Sequence, residues 1–460
     1  MLKWCKKKFD FLKGKLPPVV FNSGLILLMS VAGNLVGCVS GWYVIPKYLT
    51  KNELGLCIPL GSFITFGAIP VAVVSTLIIK YITRYEANQE WGKLKQLIRD
   101  IVIFGACSVL LVSVVFVLSF DFLFVTRLGV ESKNVLFWML IYLLVSAWGP
   151  LVMTLARSTR QFFFVALRGF MTPVVLLLAT VILLPRWGLE GYLVALMLSV
   201  LAQLIVAFFF VRSYLAPYRS VKRVPYFLDC KDMVKRYLFL FFILSVLGWA
   251  WTFLPSFIIK HFLTDQDAAG YYFVYKLAYL PSYLVSPVMM VLLPILSAKH
   301  ESSQSTSRTV GWTAFYTAVV GFSIVVVLHL FSPFLFKYMS LWREYYEYSK
   351  YIWLLAVFFV LRSVSSVYAS DLAAKWCFHY NWYKLPFSLF FLGLTYCLFG
   401  WGALRKFMPV SLWGYINDVV TPNITLLLCL LILNVLVGLC ITIFWHHKFS
   451  KEGHVNAVNE

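Results

Sequence analysis

Three basic residues interrupt long apolar runs in this 460-residue chain: Arg168, Lys276 and Arg362. A cation inside an apolar helix is costly, roughly 2.5–3.5 kcal/mol at the helix centre on insertion scales. The chemistry such a charge offers is anion binding. Arg grips phosphate or carboxylate through a planar fork, and Lys acts as a point charge. Lys276 also has aromatic company. At 100° per residue, Tyr272, Lys276, Tyr279 and Tyr283 fall within an arc of about 60°, and Tyr275 flanks it. Rings pack on sugar faces while hydroxyls hydrogen-bond, so this stripe suits a sugar-phosphate ligand. Plainer readings compete. Arg168 and Arg362 sit about two turns from the ends of their runs, within snorkelling reach of an interface. Tyr271 and Tyr272 also fit an interfacial tyrosine belt, which Tyr279 and Tyr283 fit poorly. Lys276 lies about nine residues into its run, roughly 13 Å by helical rise, and cannot easily snorkel. Arg157, at the end of a run, reads as interfacial charge, and His329 as a packed or interfacial histidine.

The elements that position these residues follow from composition. The chain is 61% hydrophobic and only 13% charged, with a mean hydropathy of +0.83. Soluble domains run near a quarter charged, so this chain could not cover a water-facing surface. Apolar runs of 18 or more residues recur, each long enough to cross a hydrocarbon core about 30 Å thick, and in lipid such runs must be helices. About twelve spans are predicted: 19–45, 55–82, 100–120, 135–156, 162–184, 189–211, 237–260, 268–297, 310–333, 350–370, 384–403 and 424–445. A net charge of +21 would suggest nucleic acid in a soluble protein, but here the basic residues lie between the runs. With the N-terminus inside, about 26 of the 40 Lys and Arg fall in cytoplasmic segments and about 11 in outer ones. An even number of spans returns the C-terminus to the cytoplasm. The nine cysteines are scattered without a CxxC pair or a His/Cys cluster, so neither a metal nor a cofactor is expected. Leu35-Val36-Gly37-Cys38 resembles a lipoprotein cleavage box, but its apolar run continues to about Ile45 and others follow, as in a first membrane helix.

Two stretches repeat. Leu49-Thr50-Lys51-Asn52-Glu53-Leu54-Gly55 leads into the second span and Leu263-Thr264-Asp265-Gln266-Asp267-Ala268-Ala269-Gly270 into the eighth, about 215 residues later. Both spans are proline-rich: Pro59 and Pro70 in one, Pro281, Pro287 and Pro294 in the other. This predicts an all-α integral membrane protein of two homologous six-helix bundles. Because six is even, the repeat is parallel, about a pseudo-two-fold axis normal to the membrane, with the working site between the halves. The expected layout is a basic cytoplasmic tail 1–18, a bundle 19–211, a basic linker 212–236, a bundle 237–446 and a cytoplasmic tail 447–460.

On these features the chain resembles the multidrug/oligosaccharidyl-lipid/polysaccharide (MOP) flippase superfamily. The best match is Gly270 to Ser297, GYYFVYKLAYLPSYLVSPVMMVLLPILS, similar to the superfamily's eighth helix with its Gly-x-Tyr opening and closing Leu-Pro-x-Leu-Ser. The resemblance implies a transporter that alternates between inward-open and outward-open states. Multidrug exporters of the superfamily couple to ions through buried carboxylates. None of the 19 Asp and Glu here can be placed near a span centre, Asp371 coming closest near a cytoplasmic end. Lipid II flippases carry Asp-Arg-Leu where this chain has Tyr275-Lys276-Leu277, and carry charges in a first span that is uncharged here from Val19 to Ile45. The resemblance therefore points to the polysaccharide transporter branch, which includes O-antigen flippases that move undecaprenyl-diphosphate-linked oligosaccharides across the bacterial inner membrane. It implies a lipid-linked oligosaccharide substrate, lipid contacts, and a polysaccharide polymerase and other assembly proteins as partners, with no nucleic acid. A membrane-embedded glycan-modifying enzyme would need acids set in a motif on outer loops; the outer acids here are sparse (Asp121, Glu131, Glu190, Glu344, Glu347, Asp418), so no enzyme is expected.

The topology predicts that a cysteine introduced at residue 225 is labelled only from the cytoplasmic side and one at residue 413 only from outside. Labelling of both from one side would overturn it.

Overall fold

The computed structural model describes residues 18–126, 128–130, 132–158, 161–215, 221–222, 224–225, 227–301, 305–375, 380–404 and 424–459. The basic tail 1–17, residues 405–423 with Asp418, Glu131 and the side chain of Arg157 lie outside the described residues. All described regular structure is helical. In chain order it comprises α1 (Pro18–Val39), α2 (Lys51–Gly67), α3 (Ile69–Ala87), α4 (Trp91–Phe120), α5 (Lys133–Ser146), α6 (Trp148–Ser158), α7 (Phe162–Leu215), α8 (Phe227–Phe262), α9 (Asp265–Ala278), α10 (Leu280–Glu301), α11 (Ser307–Tyr338), α12 (Ile352–Ala374), α13 (Tyr380–Leu404) and α14 (Ile424–Asn459). A π turn and the four-residue helix Ile45–Tyr48 extend α1, a second π turn extends α4, and a 3₁₀ segment precedes α12.

These helices account for the expected spans once three proline breaks are recognised. α2 and α3 form one run, α5 and α6 another, α9 and α10 a third. Proline lacks the N–H that would bond the carbonyl four residues back, so a helix is interrupted just before it. Pro70, Pro150 and Pro281 each follow a break by two or three residues, at Ala68, Ala147 and Tyr279. α7 holds the fifth and sixth spans, separated at Gly188, whose φ of 49° suits glycine. Other helices cross uninterrupted, Trp91–Phe120 with a mean hydropathy of 3.0.

The repeated Leu-Thr motif is a pair of helix caps. Thr264 Oγ1 accepts from the Asp267 N–H at 3.2 Å, while the Asp267 carboxylate accepts from the Thr264 N–H at 3.1 Å. Thr50 and Glu53 do the same for α2, at 3.3 and 2.9 Å. Each pairing satisfies backbone donors that a helix start leaves open.

The chain divides into two compact units, residues 1–48 with 63–242 and residues 49–62 with 243–460. The expected halves, 19–211 and 237–446, put the start of α2 in the first; by packing it goes with the second. There a Cβ on Gly55 would meet that of Ala268 at 2.7 Å, Lys260 bonds Asn52, Lys51 pairs with Glu344, and the Trp249 indole donates to the Ser62 carbonyl at 2.6 Å. In the first unit α7 packs against α1, α5 and α6; in the second, α12 packs against α9, α10, α11 and α14. α1 meets α7 through glycines: a Cβ on Gly33 would lie 2.2 Å from the Gly169 carbonyl oxygen. Small residues let membrane helices approach this closely, which is where their packing energy comes from.

Gly33→Ala therefore forces backbones apart and should cost about 1–3 kcal/mol. Gly24→Ala, on the same helix with nothing within 4 Å, should be neutral. Thermal unfolding of the purified variants tests the pair, and equal midpoints would refute the close contact.

Candidate functional site

The second unit gathers an aromatic ladder. Tyr271, Tyr275, Tyr279 and Tyr283 stand four residues apart along α9 and into α10. Their ring centroids are 6.2, 5.7 and 4.9 Å apart in sequence, with Tyr275 and Tyr279 stacked at 24°. Residues four apart are neighbours on a helix surface, which makes the contacts continuous. The break at Tyr279 lies within the ladder, yet the Tyr279 N–H still reaches the Tyr275 carbonyl at 3.0 Å. α12 backs the ladder. Phe359 meets Tyr275 edge-on at 5.7 Å and Tyr279 at 4.8 Å.

One turn after Phe359, Arg362 comes from the same face of α12. Its Nη1 donates to Thr252 Oγ1 on α8, which in turn donates to the Gly248 carbonyl at 2.7 Å. The guanidinium is also an electrostatic neighbour of the Tyr275 hydroxyl. Among the described residues no carboxylate pairs with Arg362. A fork anchored at one prong and lacking a counter-ion retains donors for an anionic ligand.

Lys276 is partly exposed near the end of α9, its ammonium 5.3 Å from the centroid of the Tyr272 ring. This is cation–π range, and the charge also faces Cys57 on α2. Tyr272 itself is fully buried, edge-on to Phe273 at 5.7 Å. Of the four residues on the expected arc, the structure thus brings Tyr279 and Tyr283 together, and Lys276 with Tyr272, as two neighbouring groups.

Arg168 belongs to the first unit. Its Nε donates to Gln203 Oε1, and Gln203 Nε2 donates to the Ser199 carbonyl at 3.4 Å. Arg168 Nη2 lies against Gly149, 3.6 Å from where a Cβ would stand. The guanidinium is held inside its unit by a buried amide. His329 points outward from α11, on the exposed side, and meets Trp353 at 6.2 Å.

The residues that sequence reasoning passed over are Phe359, Thr252 and Gln203, and Tyr271, expected in an interfacial belt, is instead the first rung of the ladder. The four-residue spacing of the tyrosines was a readable signal. The partners supplied by α8, α12 and the second arm of α7 had none, since they depend on which helices meet.

Gln203→Leu should strip the Arg168 guanidinium of a buried acceptor and cost about 1–3 kcal/mol, with Gln203→Glu retaining stability. Unchanged thermal unfolding of Gln203→Leu would mean that Arg168 is free to turn to the interface instead.

Residues 63–300 match the family described as polysaccharide biosynthesis protein, about half of the chain. No curated protein matches by sequence. Among solved structures, the chain resembles a MATE transporter in its straight conformation, with a TM-score of 0.70 at 12% identity over 95% of this chain and 96% of that one. It also resembles an outward-facing multidrug resistance MATE family transporter of the MOP superfamily, with a TM-score of 0.67 at 10% identity over 95% and 96%. A MOP superfamily transporter from Pyrococcus furiosus, described as having a binding pocket of reversed polarity, gives a TM-score of 0.68 at 12% identity over 94% and 96%. Identities this low establish a shared fold. The chain belongs to the polysaccharide biosynthesis protein family, and it is a multi-pass membrane protein with the fold of the MATE and other MOP superfamily structures.

Proposed function

We propose that this protein is a transporter that flips undecaprenyl-diphosphate-linked oligosaccharides, such as O-antigen units, from the cytoplasmic to the outer leaflet of a bacterial inner membrane. Both termini then lie in the cytoplasm. The observation that carries this reading is the Tyr275–Tyr279–Tyr283 ladder beside Arg362, in a chain of the polysaccharide biosynthesis family. Tyrosine rings offer apolar faces to sugar rings and hydroxyls to their edges. The guanidinium suits a diphosphate or an acidic sugar, and Lys276 adds a second cation beside Tyr272. Arg168 supplies a cation in the first unit. Alternating access moves the glycan without making or breaking a covalent bond, so catalytic residues are not required. Its natural partners are the polymerase and assembly proteins that consume the flipped unit. Drug export fits less well, because an aromatic ladder joined to cations favours an anionic, sugar-bearing ligand over a cationic one.

Reconstitution in vesicles with a fluorescent lipid-linked oligosaccharide tests the reading. Arg362→Ala should slow flipping by roughly ten- to a hundredfold, the worth of a lost charged hydrogen bond. Lys276→Ala should abolish flipping at normal protein level, and Lys276→Arg should keep part of it. Wild-type rates in both alanine variants would refute the assignment. Covalent change in the glycan would favour a membrane-embedded enzyme.

A further inference from the structure

The first turns of α11 carry a gap that none of the described helices fills. One face of α11 is buried, through Val310, Ala314, Thr317 and Gly321, and the opposite face is exposed along the apolar span. Two glycines lie on this helix for different reasons. Gly321 permits packing, since a Cβ on it would stand 2.7 Å from the Val360 side chain of α12. Gly311 is exposed, and a Cβ on it would meet nothing within 4 Å. Glycine inside a helix costs up to about 1 kcal/mol relative to alanine, and at Gly311 no close helix contact offsets that cost. What the missing side chain leaves is a groove of about 370 Å³ lined by Arg308, Gly311, Trp312 and Phe315. That volume falls in the lower range of ligand sites.

The aromatic walls brace one another. Trp312 stacks on Tyr316 at 5.7 Å and 26°, and meets Phe315 edge-on at 6.0 Å. Phe315 and Tyr316 touch in turn at 5.9 Å. Tryptophan at a membrane interface is common; what sets this one apart is the gap beside it. Arg308 stands at the mouth, one turn before Trp312 and in the first turn of the helix. Among the described residues no carboxylate pairs with it. Lys299 of α10 donates to Thr309 Oγ1 at 2.7 Å, which brings a second cation to the same turn. The groove therefore has a cationic mouth and an apolar body. Free phosphate offers nothing to the aromatic walls, and a bare hydrocarbon chain offers nothing to the guanidinium. An amphiphile with an anionic head engages both.

We propose that this groove binds one anionic glycerophospholipid, with its phosphate on the Arg308 fork and an acyl chain between Trp312 and Phe315. The occupant is a bulk phospholipid rather than a scarcer phosphate-bearing lipid. The exposed face of α11 is the one that meets the bilayer, where phospholipid is in large excess and occupancy follows concentration. Anionic heads are favoured over zwitterionic ones, because a zwitterion brings its own ammonium toward Arg308 and Lys299. With both termini in the cytoplasm, as proposed above, this end of the ninth span lies at the cytoplasmic leaflet.

The test uses the whole protein in phosphatidylcholine vesicles without transport substrate, so its outcome is independent of whether glycans are flipped. The vesicles carry a trace of phosphatidylglycerol, or of phosphatidylcholine, with a photoactivatable diazirine near the top of one acyl chain, and adducts are mapped by peptide mass spectrometry. Phosphatidylglycerol should label residues 311–316 roughly fivefold more than phosphatidylcholine, the attraction of one basic residue for an anionic head. Arg308→Gln should bring the two probes level. Gly311→Leu fills the groove and should remove most labelling by both. Labelling elsewhere on the chain should be the same in all three proteins, which verifies that the variants fold. Equal labelling by the two probes in the wild type overturns the proposal, as does an undiminished preference in Arg308→Gln or undiminished labelling in Gly311→Leu. Displacement of the label by undecaprenyl diphosphate at the probe's own mole fraction overturns it in favour of the proposed substrate lipid. A dimer in light scattering that Gly311→Leu dissociates overturns it in favour of a second copy of this chain.

Discussion

A charge inside a membrane helix must be held by something other than water. That constraint organises much of this structure. Arg168 is held by a buried glutamine, Arg362 by a threonine hydroxyl, Lys276 by a tyrosine face, and Asp371 by a lysine and a histidine. Each holding group comes from a residue the helix packing brings near, and each leaves a different residual capacity. Gln203 is tied in turn to a backbone carbonyl, so Arg168 sits in a closed chain. Thr252 satisfies one prong of Arg362 and leaves the fork open.

The positions of these groups depend on two packing hubs and on three proline breaks. α12 meets four helices of its unit, and it presents Phe359 and Arg362 to one side and Asp371 to the other. A helix so enclosed can hold groups on both sides because its own backbone bonds are satisfied internally. The breaks do the opposite. Where Pro281 interrupts the α9–α10 run, the backbone is free to change direction, and the tyrosine ladder crosses that point.

Much of the architecture was legible in the sequence. Hydrophobic length alone marked the spans, because a bilayer requires about twenty apolar residues per crossing. The Leu-Thr repeat was legible too, and its cause is local: Thr50 and Thr264 each close a reciprocal cap within four residues. What stayed hidden was everything set by contact between distant helices. Nothing in the order of residues assigns Leu49–Ser62 to the second unit, since that follows from Gly55 meeting Ala268. The arc drawn by angle grouped Tyr272 with Tyr279, whereas the rings that touch follow the four-residue ridge through Tyr275. Side chains lean along the helix and meet at that spacing, which angular position alone ignores.

The break within the ladder has a mechanical meaning. Tyr271 and Tyr275 ride on one rigid rod, Tyr283 on another, and Tyr279 sits at the joint. A ladder built on two rods is a ruler whose far marks shift when the joint flexes. A ligand that touches one rung would not register the change. Tyr271 and Tyr275 are buried and Tyr279 and Tyr283 only partly so, so flexing at the joint would set how many rungs a chain of sugars could lie along. For the proposed glycan, discrimination by length would then arise from geometry alone, without a single residue that recognises any particular sugar.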